Sequence, residues 1–178
     1  MPFSMMGAAL PYDRSISDII NAFEHNGPRM LMRIAPLVTS ACSLWYSFDQ
    51  DFLMGVVLNP NRRAQSNSLL PSSFRSFFRS GLVRVVGLLG LTLLSGGYNA
   101  FIDKPGHETL YWYTTGTLLA ASQLIFVPFA APKVYAIIEN GSQGVPNSDL
   151  DSWLMVHRVR TWVVDLAAWG CFVAAAVM

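Results

Sequence analysis

Leu82-Val83-Arg84-Val85-Val86-Gly87-Leu88-Leu89-Gly90-Leu91-Thr92-Leu93-Leu94-Ser95-Gly96-Gly97-Tyr98-Asn99-Ala100-Phe101 is an apolar run with a single charge, placed near its start. A helix of about 20 residues, rising 1.5 Å per residue, crosses the roughly 30 Å hydrocarbon core of a bilayer. Arg84 lies about one turn in, where its long side chain still reaches the headgroups. Upstream, Pro71 suits a first helical turn, and Phe74, Phe77, Phe78 and Gly81 follow on one face beside Arg75 and Arg79. Gly87, Gly90, Gly96 and Gly97 are expected to admit close helix contact. A membrane span over 81–101 results.

Three further stretches read the same way. Residues 110–131 open on Tyr111, Trp112 and Tyr113, expected as an interfacial aromatic belt, and Pro128 and Pro132 bend or end that helix. Residues 161–178 are entered through the amphipathic lead-in Trp153-Leu154-Met155-Val156-His157-Arg158-Val159-Arg160. Residues 34–58 are long enough to span but are interrupted by Asp49-Gln50-Asp51. Those carboxylates reach the interface or line a polar cavity, because each costs about 3 kcal/mol at a lipid-facing helix centre. Loops are expected over 59–71, 103–109 and 140–151, where Asn, Ser, Pro and Gly collect.

Near the N-terminus, Ile16, Ile19, Ile20 and Phe23 stand at helical spacing behind Ser15, a capping residue, and Asn26-Gly27-Pro28 is expected to end the helix. The expected fold is all-α: an integral membrane four-helix bundle with a short N-terminal amphipathic helix over 15–25, the whole of 1–178 forming a single membrane domain.

Composition agrees. The 178 residues are 52% apolar and 13% charged, about half the charged share of a soluble domain. A net charge of +1 with scattered Lys and Arg offers no patch for nucleic acid. Cys42 and Cys171 sit in apolar stretches, where small packing residues are expected. Residues 1–11 lack a basic segment followed by a long apolar one, so no cleavable signal is expected. The first span would then be its own targeting signal. A multi-pass membrane location follows, and the endoplasmic reticulum is one compartment consistent with it.

Polar groups inside a membrane bundle mark a cavity. The candidates are Asp49, Asp51, Asn99, Asp103, Gln123, His157, Arg160 and Asp165. His157 and Arg160 are three apart and share a face; in a regular α-helix Asp165 lies about 140° round from Arg160. An imidazole with an unperturbed pKa of about 6.5 can remove a proton, and a neighbouring guanidinium stabilises the anion formed. The same residues also serve to anchor a helix at the headgroups. Haem, metal and nucleotide chemistry lack their ligand spacings: His25, His107 and His157 fall at loops or span ends, and no phosphate loop or nucleophile elbow is present. The expectation is no cofactor and no metal.

The W-x-x-x-H-x-x-R of 153–160, entering a last apolar helix, resembles the W-x-x-x-N-x-x-R element of the anthrone oxygenase-like small membrane proteins of fungal polyketide pathways. The order of parts is similar too: aromatics leading to Ser80-Gly81, Leu110-Tyr111 opening the next span, Pro128 near its end, then Asn140. The chain departs from that pattern at His157, where the family has Asn, at Pro128-Phe129-Ala130, where it has P-x-T, and in the longer distance to Asn140.

The resemblance implies a cofactor-independent oxygenase, a monooxygenase among the oxidoreductases. It would convert an anthrone-like polyphenolic substrate to a quinone with O2 in secondary metabolism. It assigns His157 as base, Arg160 as partner of the phenolate or enolate oxygen and Trp153 as an aromatic wall, with Asn99, Gln123 and Asp165 positioning the substrate. The partners would be a small aromatic substrate, O2, the lipid bilayer and polyketide pathway enzymes. Two other classes fit the same hydropathy: a non-catalytic membrane scaffold or subunit, and a small-molecule exporter. The absence of repeated halves speaks against the exporter.

Overall fold

The computed structural model describes residues 16–61, 63–103, 106–139 and 145–178, with backbone only for 16–25 and 64, and all regular elements among them are helical. They are α1 (Ile16–Val57), α2 (Arg63–Phe101), α3 (His107–Ser122), a 3-10 turn (Gln123–Phe126), α4 (Val127–Ile138), α5 (Pro146–Arg160), a π turn (Thr161–Asp165) and α6 (Leu166–Val177). The chain divides into two units, Met1–Leu31 and Met32–Met178. Of the first, the helical backbone from Ile16 onward is described; every contact below lies within the second.

Three segments are long and apolar enough to cross a membrane: Gln65–Phe101, His107–Ile138 and Pro146–Val177. The span expected over 34–58 is not among them, because Asp49, Gln50 and Asp51 lower its mean hydropathy. Outward faces of the three carry Val83, Leu94, Leu118 and Val163, all exposed, as suits surfaces solvated by acyl chains.

Prolines break these helices less than local propensity predicts. Helix α1 does not stop at Asn26-Gly27-Pro28 but runs on to Val57; the amphipathic side chains of 15–25 lie outside the described residues. Pro36 lacks the N–H that would bond the Met32 carbonyl. Asn99 Nδ2 of α2 supplies the missing donor at 2.6 Å, and Tyr113 Oη donates to the next carbonyl, Arg33 O, at 2.9 Å. Neighbouring helices thus restore what proline removes. Tyr113 is buried by this contact, while Tyr111 stays exposed; only part of the expected aromatic belt faces outward.

Pro71 likewise sits inside α2 instead of opening it, so much of the loop expected over 59–71 is helix from Arg63. Asn147 tethers that first turn: its Nδ2 donates to Arg63 O at 2.8 Å and Ser66 Oγ at 3.1 Å, and Arg63 pairs with Asp151. The same contacts start α5 at Pro146, inside the expected 140–151 loop. Before Pro128 the chain tightens into the 3-10 turn, where Val127 N–H bonds Leu124 O in place of the bond that Pro128 cannot make. The helix then continues through Pro132 to Ile138, beyond the end expected at 131.

Two apolar clusters hold the helices together. One gathers Met54, Leu70, Phe74, Ile137, Leu150 and Trp153; the other gathers Ala100, Tyr113, Phe172 and Ala175. Gly116 lets α3 and α6 meet, since a Cβ there would lie 2.9 Å from the Phe172 ring and 3.1 Å from Cys171 Cβ. Gly96 is similarly covered by Phe172 and Thr117, whereas among the described residues nothing lies within 4 Å of a Cβ at Gly87, Gly90 or Gly97, so one of these four α2 glycines serves the contact expected of them. In sequence, the polar residues Gln123, His157 and Asp165 fall between members of the two clusters along α3–α4 and α5–α6, and Ser47 and Gln50 precede Met54 on α1.

Candidate functional site

Trp153, His157 and Arg160 of α5, Gln123 of the 3-10 turn and Gln50 of α1 line one cavity of about 180 Å³. Spacing of four and three residues puts the α5 trio on one face. Gln123 reaches the cavity from the tightened turn ahead of Pro128. Gln50 faces it while its neighbours turn away: Asp51 pairs with Arg158 at 2.6 Å and Asp49 is exposed. Gly81 makes room for Gln50, because a Cβ there would lie 3.4 Å from Gln50 Nε2 and 2.9 Å from Tyr46 Oη.

His157 is 5% exposed. Its Nε2 is 2.9 Å from the Ser47 carbonyl oxygen; a carbonyl only accepts, so Nε2 carries the proton and Nδ1 keeps the lone pair. Nδ1 lies 3.5 Å from Arg160 Nη2. The imidazole stacks on the Trp153 indole, with centroids 5.1 Å apart and planes at 14°. Trp153 in turn meets the edge of Phe74 at 5.6 Å. The aromatic wall therefore fixes the ring plane of His157.

Arg160 Nη2 also donates to Ser47 Oγ at 3.1 Å and pairs with Asp165 Oδ2 at 3.4 Å. Ser47 Oγ donates to the same Asp165 oxygen at 3.3 Å. The expected 140° separation of Arg160 and Asp165 is thus corrected: Thr161–Asp165 is wound as a π turn, whose i to i+5 repeat brings the two onto one side. Among the described residues, Arg160 Nε and Asp165 Oδ1 are buried without a hydrogen-bond partner.

Not every candidate joins this group. Asn99 is fully buried but spends its Nδ2 on Met32 O and on Ser95 O at 2.8 Å, away from the cavity lining. Asp165 stands behind Arg160 and lines a separate cleft of about 10 Å³ with Gln123 and Thr92. Asp103 pairs with Arg33 at 2.8 Å, and Asn140 lies outside the described residues. Reasoning from sequence passes over Ser47, and over Gln50 beyond its place in Asp49-Gln50-Asp51; their one signal is a spacing of three, which puts them on one face of α1. Among the described residues no three His, Cys, Asp or Glu side chains are grouped to hold a metal ion.

A buried imidazole, guanidinium and carboxylate beside a largely apolar cavity have the chemistry needed to receive a lipophilic molecule and to balance one developing charge. The chain is similar to several fungal proteins. The chain is 28% identical over 156 residues to Epoxidase pydX of Acremonium sp, covering 84% of this chain and 94% of that protein. It is 29% identical over 151 residues to Probable epoxidase scpX of Mollisia scopiformis, covering 82% and 94%. It is 26% identical over 157 residues to Epoxidase gkaX of Penicillium citrinum, covering 83% and 93%. These relatives bear epoxidase names and not that of an anthrone oxygenase. No family model and no solved structure matches the chain.

Proposed function

We propose that this protein is a multi-pass membrane oxygenase of fungal secondary metabolism, acting on a lipophilic unsaturated substrate. The observation that carries the reading is the convergence of Trp153, His157, Arg160 and Gln123 on one cavity within segments apolar enough for a membrane. The names of the relatives support epoxidation as the reaction. One atom of O2 then bridges a carbon–carbon double bond, and the other leaves as water with two electrons and two protons supplied by a cellular hydride donor of the reduced nicotinamide class and a proton from solvent.

In this reading Arg160 stabilises the negative oxygen that forms during transfer, and His157 Nδ1 exchanges the proton. Asp165 and Ser47 keep the guanidinium in place. The endoplasmic reticulum membrane is the proposed location, and O2, a small unsaturated substrate and pathway enzymes are the proposed partners.

A second reading rests on the W-x-x-x-H-x-x-R element: oxidation of an anthrone methylene to a quinone carbonyl. There the CH2 loses two hydrogens and gains one oxygen, the second oxygen leaves as water, and no external reductant or cofactor is needed.

The test is complementation of an Acremonium strain deleted for its epoxidase pydX, grown under 18O2, beside microsomes from the same cells given an anthrone without reductant. This chain should restore oxygenated product carrying one 18O, and His157→Ala and Arg160→Ala should not, although both remain in the membrane fraction. Restoration only in the anthrone arm would favour the second reading. Metabolites of unchanged mass in both arms, as a scaffold or exporter would leave them, would overturn the oxygenase assignment.

A further inference from the structure

Two buried carboxamides on the cavity wall have no work within the protein. Gln50 is 6% and Gln123 is 9% exposed, and among the described residues neither side chain has a hydrogen-bond partner. Asn99 and Asn147, the other buried amides, donate to backbone carbonyls; Asn99 Oδ1 is sealed without a partner among the described residues, whereas the amide atoms of Gln50 and Gln123 are not sealed and are reached from the cavity. The polar end of a bound molecule would complete their hydrogen bonding. Gln50 and Gln123 come from different elements, α1 and the 3-10 turn, and both open onto the same space.

The open side of that space is equally specific. Leu82 of α2 and Val127 of α4 line it while 48% and 53% exposed, and Ala131 beside them is also exposed. All three are apolar and lie in segments long and apolar enough to cross a membrane. The mouth between α2 and α4 therefore faces acyl chains. Arg160 is already matched by Asp165, so the cavity carries no surplus positive charge to select an anion.

We infer that the cavity is loaded sideways from the bilayer, between Leu82 and Val127, by a lipophilic molecule whose neutral carbonyl or hydroxyl end is held by Gln50 and Gln123. The apolar body stays toward the mouth. This rests on the proposed site but concerns binding alone, so it stands or falls separately from oxygen transfer.

The experiment uses the full chain in phosphatidylcholine vesicles with 4-dodecylbenzophenone, a neutral lipophilic ketone that inserts covalently on irradiation. Adducts should map to Val85, Trp153 and the mouth residues, and an excess of a long-chain ketone, but not of laurate, should compete them away. Gln50→Leu and Gln123→Leu should each lower the yield at Trp153 about fivefold, as loss of one hydrogen bond does. Leu82→Trp with Ala131→Trp should block labelling at Trp153 while adducts on lipid-facing Leu94 persist. Competition by laurate as strong as by the ketone, or equal labelling at Trp153 by a water-soluble benzophenone lacking the chain, would overturn the inference on the wild-type protein alone. So would yields at Trp153 unchanged in the folded variants. Labelling as expected with no oxygen transfer would leave this inference standing and remove the oxygenase reading.

Discussion

Arg160 Nη2 and Asp165 Oδ2 lie 3.4 Å apart across five residues because the backbone between them widens into a π turn over Thr161–Asp165. The widened turn costs regular hydrogen bonding, and such turns are found chiefly where a side chain must be re-aimed. Here it places a carboxylate behind the guanidinium that faces the cavity. Ser47 bridges the two from α1, so the charge pair also ties α1 to the last helix.

Removing one partner should cost more than removing both. Asp165→Ala leaves Arg160 buried and uncompensated and should destabilise the protein by roughly 3 kcal/mol, whereas Arg160→Met with Asp165→Leu should recover most of that loss. Thermal unfolding in detergent checks it. A double variant no more stable than Asp165→Ala would show that the pair is not what holds this layer.

Asn99 is expected to matter to the fold and not to turnover. Asn99→Ala should cost about 1–2 kcal/mol by stranding Met32 O. In a Pro36→Ala background the restored backbone N–H takes that carbonyl, and the same change should cost close to nothing. The double-mutant cycle, followed by unfolding midpoints, reads this directly; equal costs in both backgrounds would contradict it.

Glycine positions in the bundle should separate sharply. Gly116→Ala drives a Cβ against Phe172 and Cys171 and should cost about 1–3 kcal/mol by overpacking. Gly97→Ala meets open space and should be neutral or stabilising by up to about 1 kcal/mol through helix propensity. Comparing the two unfolding midpoints settles the assignment of the close contact.

His157→Gln distinguishes a proton acceptor from a strut. The amide nitrogen can still donate toward Ser47 O, as Nε2 does, but the side chain offers no basic nitrogen, so oxygen transfer should fall about 100-fold or more while the unfolding midpoint stays close to wild type. Activity retained in this variant would leave His157 a positioning residue only, and single-turnover assays in vesicles supply the measurement.

Helical character, the approximate place of three membrane-compatible segments and the shared face of Trp153, His157 and Arg160 are all readable from residue order, because hydropathy and the 3.6-residue repeat are local properties. The sequence alone also singles out Gln123 and Asp165 as polar groups out of place. Their uses come from elsewhere in the chain. Asp165 meets Arg160 only through a π turn that no residue pattern announces, and Asn99 is drawn from any site to a carbonyl freed by Pro36, 63 positions earlier. Ser47 and Gln50 acquire their roles from the register of α1 against α5 and from the missing side chain of Gly81. Helix ends moved for the same reason: at Arg63 and Pro146, tertiary hydrogen bonds through Asn147 outweigh a loop-like composition. Periodicity sets which residues share a face; packing between distant helices decides what that face meets and where a regular turn gives way.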